Sequence, residues 1–225
     1  MPDWWSYRLS DFLLFSPRTY WRLFELHNEA LWPLQVFTLA AGVAALVLAV
    51  LRPRSNSRLI AILLAILWAF VGWSFLWQRY ATINWAAAYA APVFAVEALI
   101  LLVIGGAIGR LSSDQRGFRR IAGLILIVLG LAYPLLAPLF GRPWQFSEVY
   151  GIAPDPTAIA TLGFLLLARG GLPILLLAIP LLWCLASGAT LWAMDEPQAW
   201  VPLAAALLGT FAAAWTVMRG ETKSV

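Results

Sequence analysis

One cysteine, Cys184, one histidine, His27, and few charges mark this chain: Asp, Glu, Lys and Arg make up only 12% of its 225 residues. A lone cysteine inside an apolar stretch leaves no intrachain disulfide and no CxxC metal or redox motif. With a single histidine to add, a zinc or haem site built from His and Cys is not expected. Catalytic signatures are also missing, with no HExxH, no GxSxG and no paired Asp/Glu motif on one apolar run. No metal, no cofactor and no enzymatic activity are therefore expected. The shortage of charge excludes the most, because ordinary soluble domains carry roughly 25% charged residues. Hydrophobic residues reach 62% and the mean hydropathy is +0.82. A soluble globule of this size cannot hide so much apolar surface, so lipid must solvate part of it.

What charge there is marks topology. The formal net charge of +4 comes from arginines in short loops between apolar runs, which reads as membrane orientation and not as a nucleic-acid footprint. By run length, six full spans are expected at residues 34–51, 59–77, 88–108, 121–140, 172–193 and 200–218. The first thirty residues carry Asp3, Arg8, Asp11, Arg18, Arg22 and Glu25, so no secretory leader is expected there. Ser16-Pro17 reads as an N-cap followed by proline at the first helical position. Tyr20, Phe24 and Leu31 then share one side, as in a helix lying at the membrane surface, with Pro33 as the kink into the first span. The fold class is thus all-α: a polytopic transmembrane bundle with an N-terminal interfacial helix. A single domain is expected, with residues 1–32 interfacial, 33–218 the bundle and 219–225 a cytoplasmic tail.

The stretch from Thr157 to Ala168 is the exception. Twelve helical residues reach about 18 Å, short of a hydrocarbon core of ~30 Å. It reads as a re-entrant half-helix or a short crossing buried among longer ones. If it crosses, ten of the fifteen Lys and Arg residues share one side, as the positive-inside rule prefers. Seven crossings are expected on that ground, with the N-terminus outside and the C-terminus cytoplasmic. In that topology Trp4, Trp5, Trp21, Trp32, Trp73, Trp77, Trp85, Trp144, Trp192 and Trp200 all fall on the outer side. A thick aromatic belt and a ligand-lining aromatic mouth both fit this asymmetry.

Candidate functional residues are sparse. Glu97 is the one carboxylate in the apolar run 88–108, where a charge is costly without a partner, a proton or a water-filled cavity. It reads as a proton- or cation-binding site or as a structural carboxyl, with Arg79, Arg142, Tyr89 and Tyr133 as candidate partners. Arg79-Tyr80 and Asn84-Trp85 form a polar outer turn suited to a carboxylate, a phosphate or lipid headgroups. Arg142 lies in a tight turn, Gly141-Arg142-Pro143-Trp144, followed by Glu148. Asp155 opens the short helix, either as a plain N-cap or with the helix dipole aimed into a cavity. His27 is expected to be a solvated interfacial histidine. The Gly105-Gly106-Ala107-Ile108-Gly109 cluster reads as close helix packing.

Three segments carry a resemblance: residues 10–20 (SDFLLFSPRTY), 79–85 (RYATINW) and 153–163 (APDPTAIATLG). They resemble a bacterial family of small multi-span proteins, catalogued as a domain of unknown function and loosely labelled permeases. The resemblance covers essentially the whole chain and implies a bacterial inner-membrane location. Functionally, a small transporter-like or channel-like protein using the mid-membrane Glu97 is expected, with the bilayer and a small molecule, ion or proton as partners. A non-catalytic accessory subunit or lipid-interacting scaffold is the alternative, and an intramembrane enzyme acting on a lipid or quinone is a third. No nucleic acid is expected as a partner; a homo-oligomer or a larger membrane complex stays open.

Overall fold

The computed structural model describes residues 13–51, 56–109, 117–168 and 174–218. Much of the two basic loops at 52–58 and 110–120, Arg169 and the 219–225 tail, on which the charge-based orientation rests, lies outside the described residues. The first helix, α1 (Pro17–Leu31), starts where its residues demand. The Ser16 hydroxyl accepts from the Thr19 N–H at 3.2 Å, and Pro17 takes the first helical position, where a missing N–H costs nothing. A cis Trp32–Pro33 peptide separates it from α2 (Leu34–Leu51).

Longer helices follow. α3 (Ser57–Val71) continues through a π-helical stretch, Gly72–Trp77, and α4 (Trp85–Ile100) through a second one, Leu101–Ala107. α5 (Phe118–Ala132) leads into a short α6 (Leu136–Leu139), and α7 (Pro154–Leu167), α8 (Ile174–Ala193) and α9 (Trp200–Met218) complete the described bundle. Among the described residues, six stretches are long and apolar enough to cross a membrane: Leu34–Leu51, Ser57–Thr82, Trp85–Ala107, Phe118–Leu139, Leu175–Ala193 and Pro197–Trp215. They match the six expected spans to within a few residues.

The bundle has two unlike ends. At one, α1 lies across the helix termini: Phe15 and Tyr20 meet Tyr80, Phe24 stacks on Phe75, and Trp21 reaches Glu196 beyond α8. We call this the capped end. At the other, Phe118 packs on Phe211 and Trp215, and Arg119 donates to the Leu165 and Ala168 carbonyls where α7 stops. A guanidinium at a helix C-terminus both satisfies orphan carbonyls and complements the dipole. The short helix therefore leads from beneath the cap to the far end.

All fourteen residues of α7 are buried. Its polar residues, Asp155, Thr157 and Thr161, find their partners within the protein, and the helix is too short to span a bilayer on its own, so it becomes the axis of the bundle. Its small residues permit this. Gly163 faces Gly123 of α5 so closely that a Cβ there would lie 2.5 Å from the Gly123 carbonyl, and Gly130 meets Pro156 and Ala160 in the same way. Trp68 of α3 adds a hydrogen bond to Thr161 at 2.9 Å.

Because α7 is short, its start is recessed, and residues 147–153 dip into the bundle as buried irregular chain. Such backbone is tolerated at membrane depth only where protein satisfies its polar groups. α1 supplies them. Asn28 donates to the Gln145 and Ser147 carbonyls at 2.9 and 2.8 Å, and His27 Nε2 donates to the Ile152 carbonyl at 3.3 Å. Gly151, at φ +82°, makes the bend that brings its N–H to Thr157 Oγ1 at 2.9 Å.

The expectation of a solvated His27 is thereby corrected: the ring is buried and packs edge-on against Phe75. Burial, reinforced by the Arg79 charge and opposed by the Ile152 bond, holds its pKa at about 4 against an ordinary 6.5. The unfolded chain therefore binds the proton first. The stability contributed by neutral His27 is full above pH 6.5 and lost as the pH falls through 4. The loss should reach about 3 kcal/mol, read as a drop in unfolding midpoint across that window in detergent. His27→Gln should flatten the profile; an unchanged profile would contradict this role.

A recessed polar chamber and a lateral pocket beside it

Asp155 stands at the recessed start of α7 and is completely buried. It is not the helix N-cap, one of the two readings the sequence offered for it. Ala153 holds that position without a side-chain bond, because Pro154 rather than Pro156 begins the helix. The carboxylate is thus free to gather three donors from two other helices: Tyr133 Oη at 3.2 Å, Trp183 Nε1 at 2.8 Å and Ser187 Oγ at 2.5 Å. Two oxygens accepting three bonds in a dry interior make a rigid, fully engaged centre.

A second network lies between this centre and the cap. Arg142 donates to Glu196 at 2.7 Å and also to Gln198, while its guanidinium carbon sits 3.7 Å from the centre of the Trp21 ring. Trp21 Nε1 donates to Glu196 at 2.7 Å, and Gln198 passes the chain inward to Glu148 at 2.9 Å. Burial pushes the Glu148 carboxyl well above the usual range; the Asp155 charge adds to this, and Arg142 and Gln198 oppose it. These bonds tie α1, the dipping segment and the α8–α9 turn into one roof over Asp155.

Beside the chamber, between α4 and α8, a pocket of about 370 Å³ opens sideways. Tyr89 and Leu182 on its lip are 69% and 63% exposed, so it faces the bundle's lipid-facing perimeter. Val93, Phe94 and Ile179 line its apolar part. At the capped end it meets the hydroxyl-bearing side chains Tyr20, Tyr80, Ser187 and Thr190, together with Asn84. Among the described residues, its walls contain no charged side chain. Ser187 and Trp183 are shared: each lines the pocket and donates to Asp155 behind it.

The residues singled out from sequence divide between these places. Asp155 and Tyr133 come together in the chamber, Arg142 belongs to its roof, and Asn84 both lines the pocket and caps α4 by accepting from Ala86 N–H at 3.1 Å. Arg79 stands apart, near His27. Glu97 is in neither place. It is fully buried on α4, and both carboxyl oxygens lack a hydrogen-bond partner among the described residues. None of the candidate partners Arg79, Arg142, Tyr89 and Tyr133 hydrogen-bonds it; Tyr133 bonds Asp155 and Arg142 bonds Glu196 instead. A buried polar group without a partner destabilises, so Glu97→Met should raise the thermal unfolding midpoint, by about 1–2 kcal/mol in stability. A variant less stable than wild type would show that the carboxyl holds a partner.

Sequence reasoning missed Ser187, Thr190 and Trp183. The signal was present: positions 183, 187 and 190 fall on one face of a span (spacings of four and three), a polar stripe on an otherwise apolar helix.

Among the described residues, six long apolar helices around a buried short one fit an integral, multi-pass helical membrane protein. Within that class, the chain belongs to a family of unknown function (DUF6064), whose model matches residues 18–224. No curated protein and no solved structure matches it.

Proposed function

We propose that this protein binds an uncharged amphipathic small molecule, which enters from the bilayer through the opening between α4 and α8. The observation that carries this reading is the lateral pocket itself: apolar walls toward the middle of the span, neutral polar groups toward the capped end, and no charged lining. A volume of about 370 Å³ suits the head and first part of one chain, at the lower end of small-molecule sites. Uncharged walls in a low-dielectric setting disfavour an ionic head, whose desolvation nothing there would offset.

Binding of this kind fits the permease-like reading, with the pocket in place of Glu97 as the point of contact. In the same reading the protein sits in a bacterial inner membrane, the capped end faces outward and the C-terminus is cytoplasmic; the clustering of Arg and Lys in the opposite loops supports it. The role is non-catalytic. A scaffold or accessory subunit is the second reading, favoured by the densely packed α5–α7 seam.

Photolabelling in nanodiscs tests the proposal, using diazirine-bearing long-chain probes with an alcohol, a carboxylate or an amine head. The alcohol should label peptides of α4 and α8 most strongly. Ala186→Trp, which fills the pocket from an exposed position, should remove most of that labelling. Equal labelling of the whole lipid-facing perimeter, unaffected by the substitution, would contradict the proposal and favour the scaffold.

A further inference from the structure

The pocket's polar end has an asymmetry that selects among uncharged heads. Ser187 Oγ spends its one proton on Asp155 at 2.5 Å. Thr190 Oγ1 spends its own on the Ala186 carbonyl one turn back, at 2.8 Å. Trp183 Nε1, the strongest donor on the same face, is likewise committed to Asp155. A hydroxyl whose proton is engaged retains only lone pairs, so the α8 wall offers the pocket acceptors and no free donor. Across from it stand Tyr20 and Tyr80; Tyr80 is already hydrogen-bonded to Asn84 and Thr190, so Tyr20 is the hydroxyl able to donate or accept there.

We propose that the pocket selects a hydroxyl-headed lipid, whose O–H is shared between the Ser187 oxygen and the remaining lone pair of Thr190 while its own oxygen accepts from Tyr20. This rests on the lateral-pocket reading above and names the chemistry of its ligand. Long-chain alcohols and acylglycerols belong to this class; methyl ethers, ketones and esters without a free O–H do not. Asp155 acts here as a positioning residue: it does not touch the ligand, but it fixes which way the Ser187 proton points. A head that cannot donate leaves the Ser187 acceptor unpaired in the bound state and Thr190 with only its bond to Tyr80, and such unpaired groups are what make a site reject an isostere.

The test compares a diazirine-bearing, alkyne-tailed long-chain alcohol with its O-methyl ether at equal concentration in nanodiscs, with labelling read on α4 and α8 peptides. Wild type should favour the alcohol by about tenfold. Ser187→Ala should shrink that preference to about threefold or less. Thr190→Val leaves every donor to Asp155 in place and should shrink it too, which keeps the test readable if Ser187→Ala does not fold. Equal labelling of wild type by alcohol and ether would overturn the donor requirement while leaving the pocket reading intact. A preference surviving both substitutions would overturn the roles of Ser187 and Thr190. Labelling by neither probe would overturn the pocket reading and this inference together.

Discussion

Gly163→Val should unfold this protein or leave it without a well-packed bundle. The first atom of any side chain at that position would lie 2.5 Å from the Gly123 carbonyl and 2.7 Å from both Ile127 Cγ1 and Ile127 N. Backbone atoms cannot move aside as a flexible side chain does, so α5 and α7 must separate. Because α7 is the axis of the bundle, that separation also loosens α8 and α9 from it. A loss above about 4 kcal/mol is expected, read as collapse of the monodisperse peak in detergent or of the unfolding midpoint. Gly209→Ala on α9 is the matched control. Its Cβ would meet the Leu162 and Leu181 methyls at 3.6 Å, an ordinary contact, and helix propensity then favours alanine by up to about 1 kcal/mol. If Gly163→Val melts with the wild type, the close α5–α7 seam is wrong.

Asp155→Ala should produce the second large effect. It strands the Tyr133 hydroxyl, the Trp183 indole N–H and the Ser187 hydroxyl, three donors that all converge on this carboxylate. Each buried, unmet donor costs about 1–3 kcal/mol, so a total of at least about 3 kcal/mol is expected from the three together. Asp155→Asn keeps one acceptor oxygen and the shape of the side chain, and should lose about half as much. Thermal unfolding followed by tryptophan fluorescence reads both. Equal stability of Asp155→Ala and wild type would show that the chamber does not hold the three helices together.

How far the sequence told this in advance depended on the range of the interaction. Local signals were legible: Ser16-Pro17 starts α1, and apolar run length finds the six long helices because the bilayer sets their length. The start of α7 was nearly legible. It was displaced by two residues because Pro154 and Pro156 compete for the first turn, which made Asp155 look like a cap. Contacts between distant parts of the chain were not legible. His27 looked solvated from its neighbours Glu25, Asn28 and Glu29, yet its ring is turned to a carbonyl 125 residues away. Glu97 stood out by being alone in an apolar run, which identified its burial correctly but not its lack of a hydrogen-bond partner among the described residues. The polar stripe on α8 was readable by helical spacing and went unread because serine and threonine are common, quiet residues in spans, where their hydroxyls usually bond the preceding turn. Thr190 does so; Ser187 does not, and only the fold shows that its partner is Asp155.

Native mass spectrometry of the protein released from nanodiscs, wild type beside Ala186→Trp, tests the central claim most directly. Wild type should retain an uncharged lipid carrying a free hydroxyl through activation that strips annular lipids. Ala186→Trp should fly bare under the same activation, with the same charge-state distribution and therefore the same fold. A wild type that carries nothing, or an identical adduct on both proteins, would contradict a ligand-binding pocket between α4 and α8.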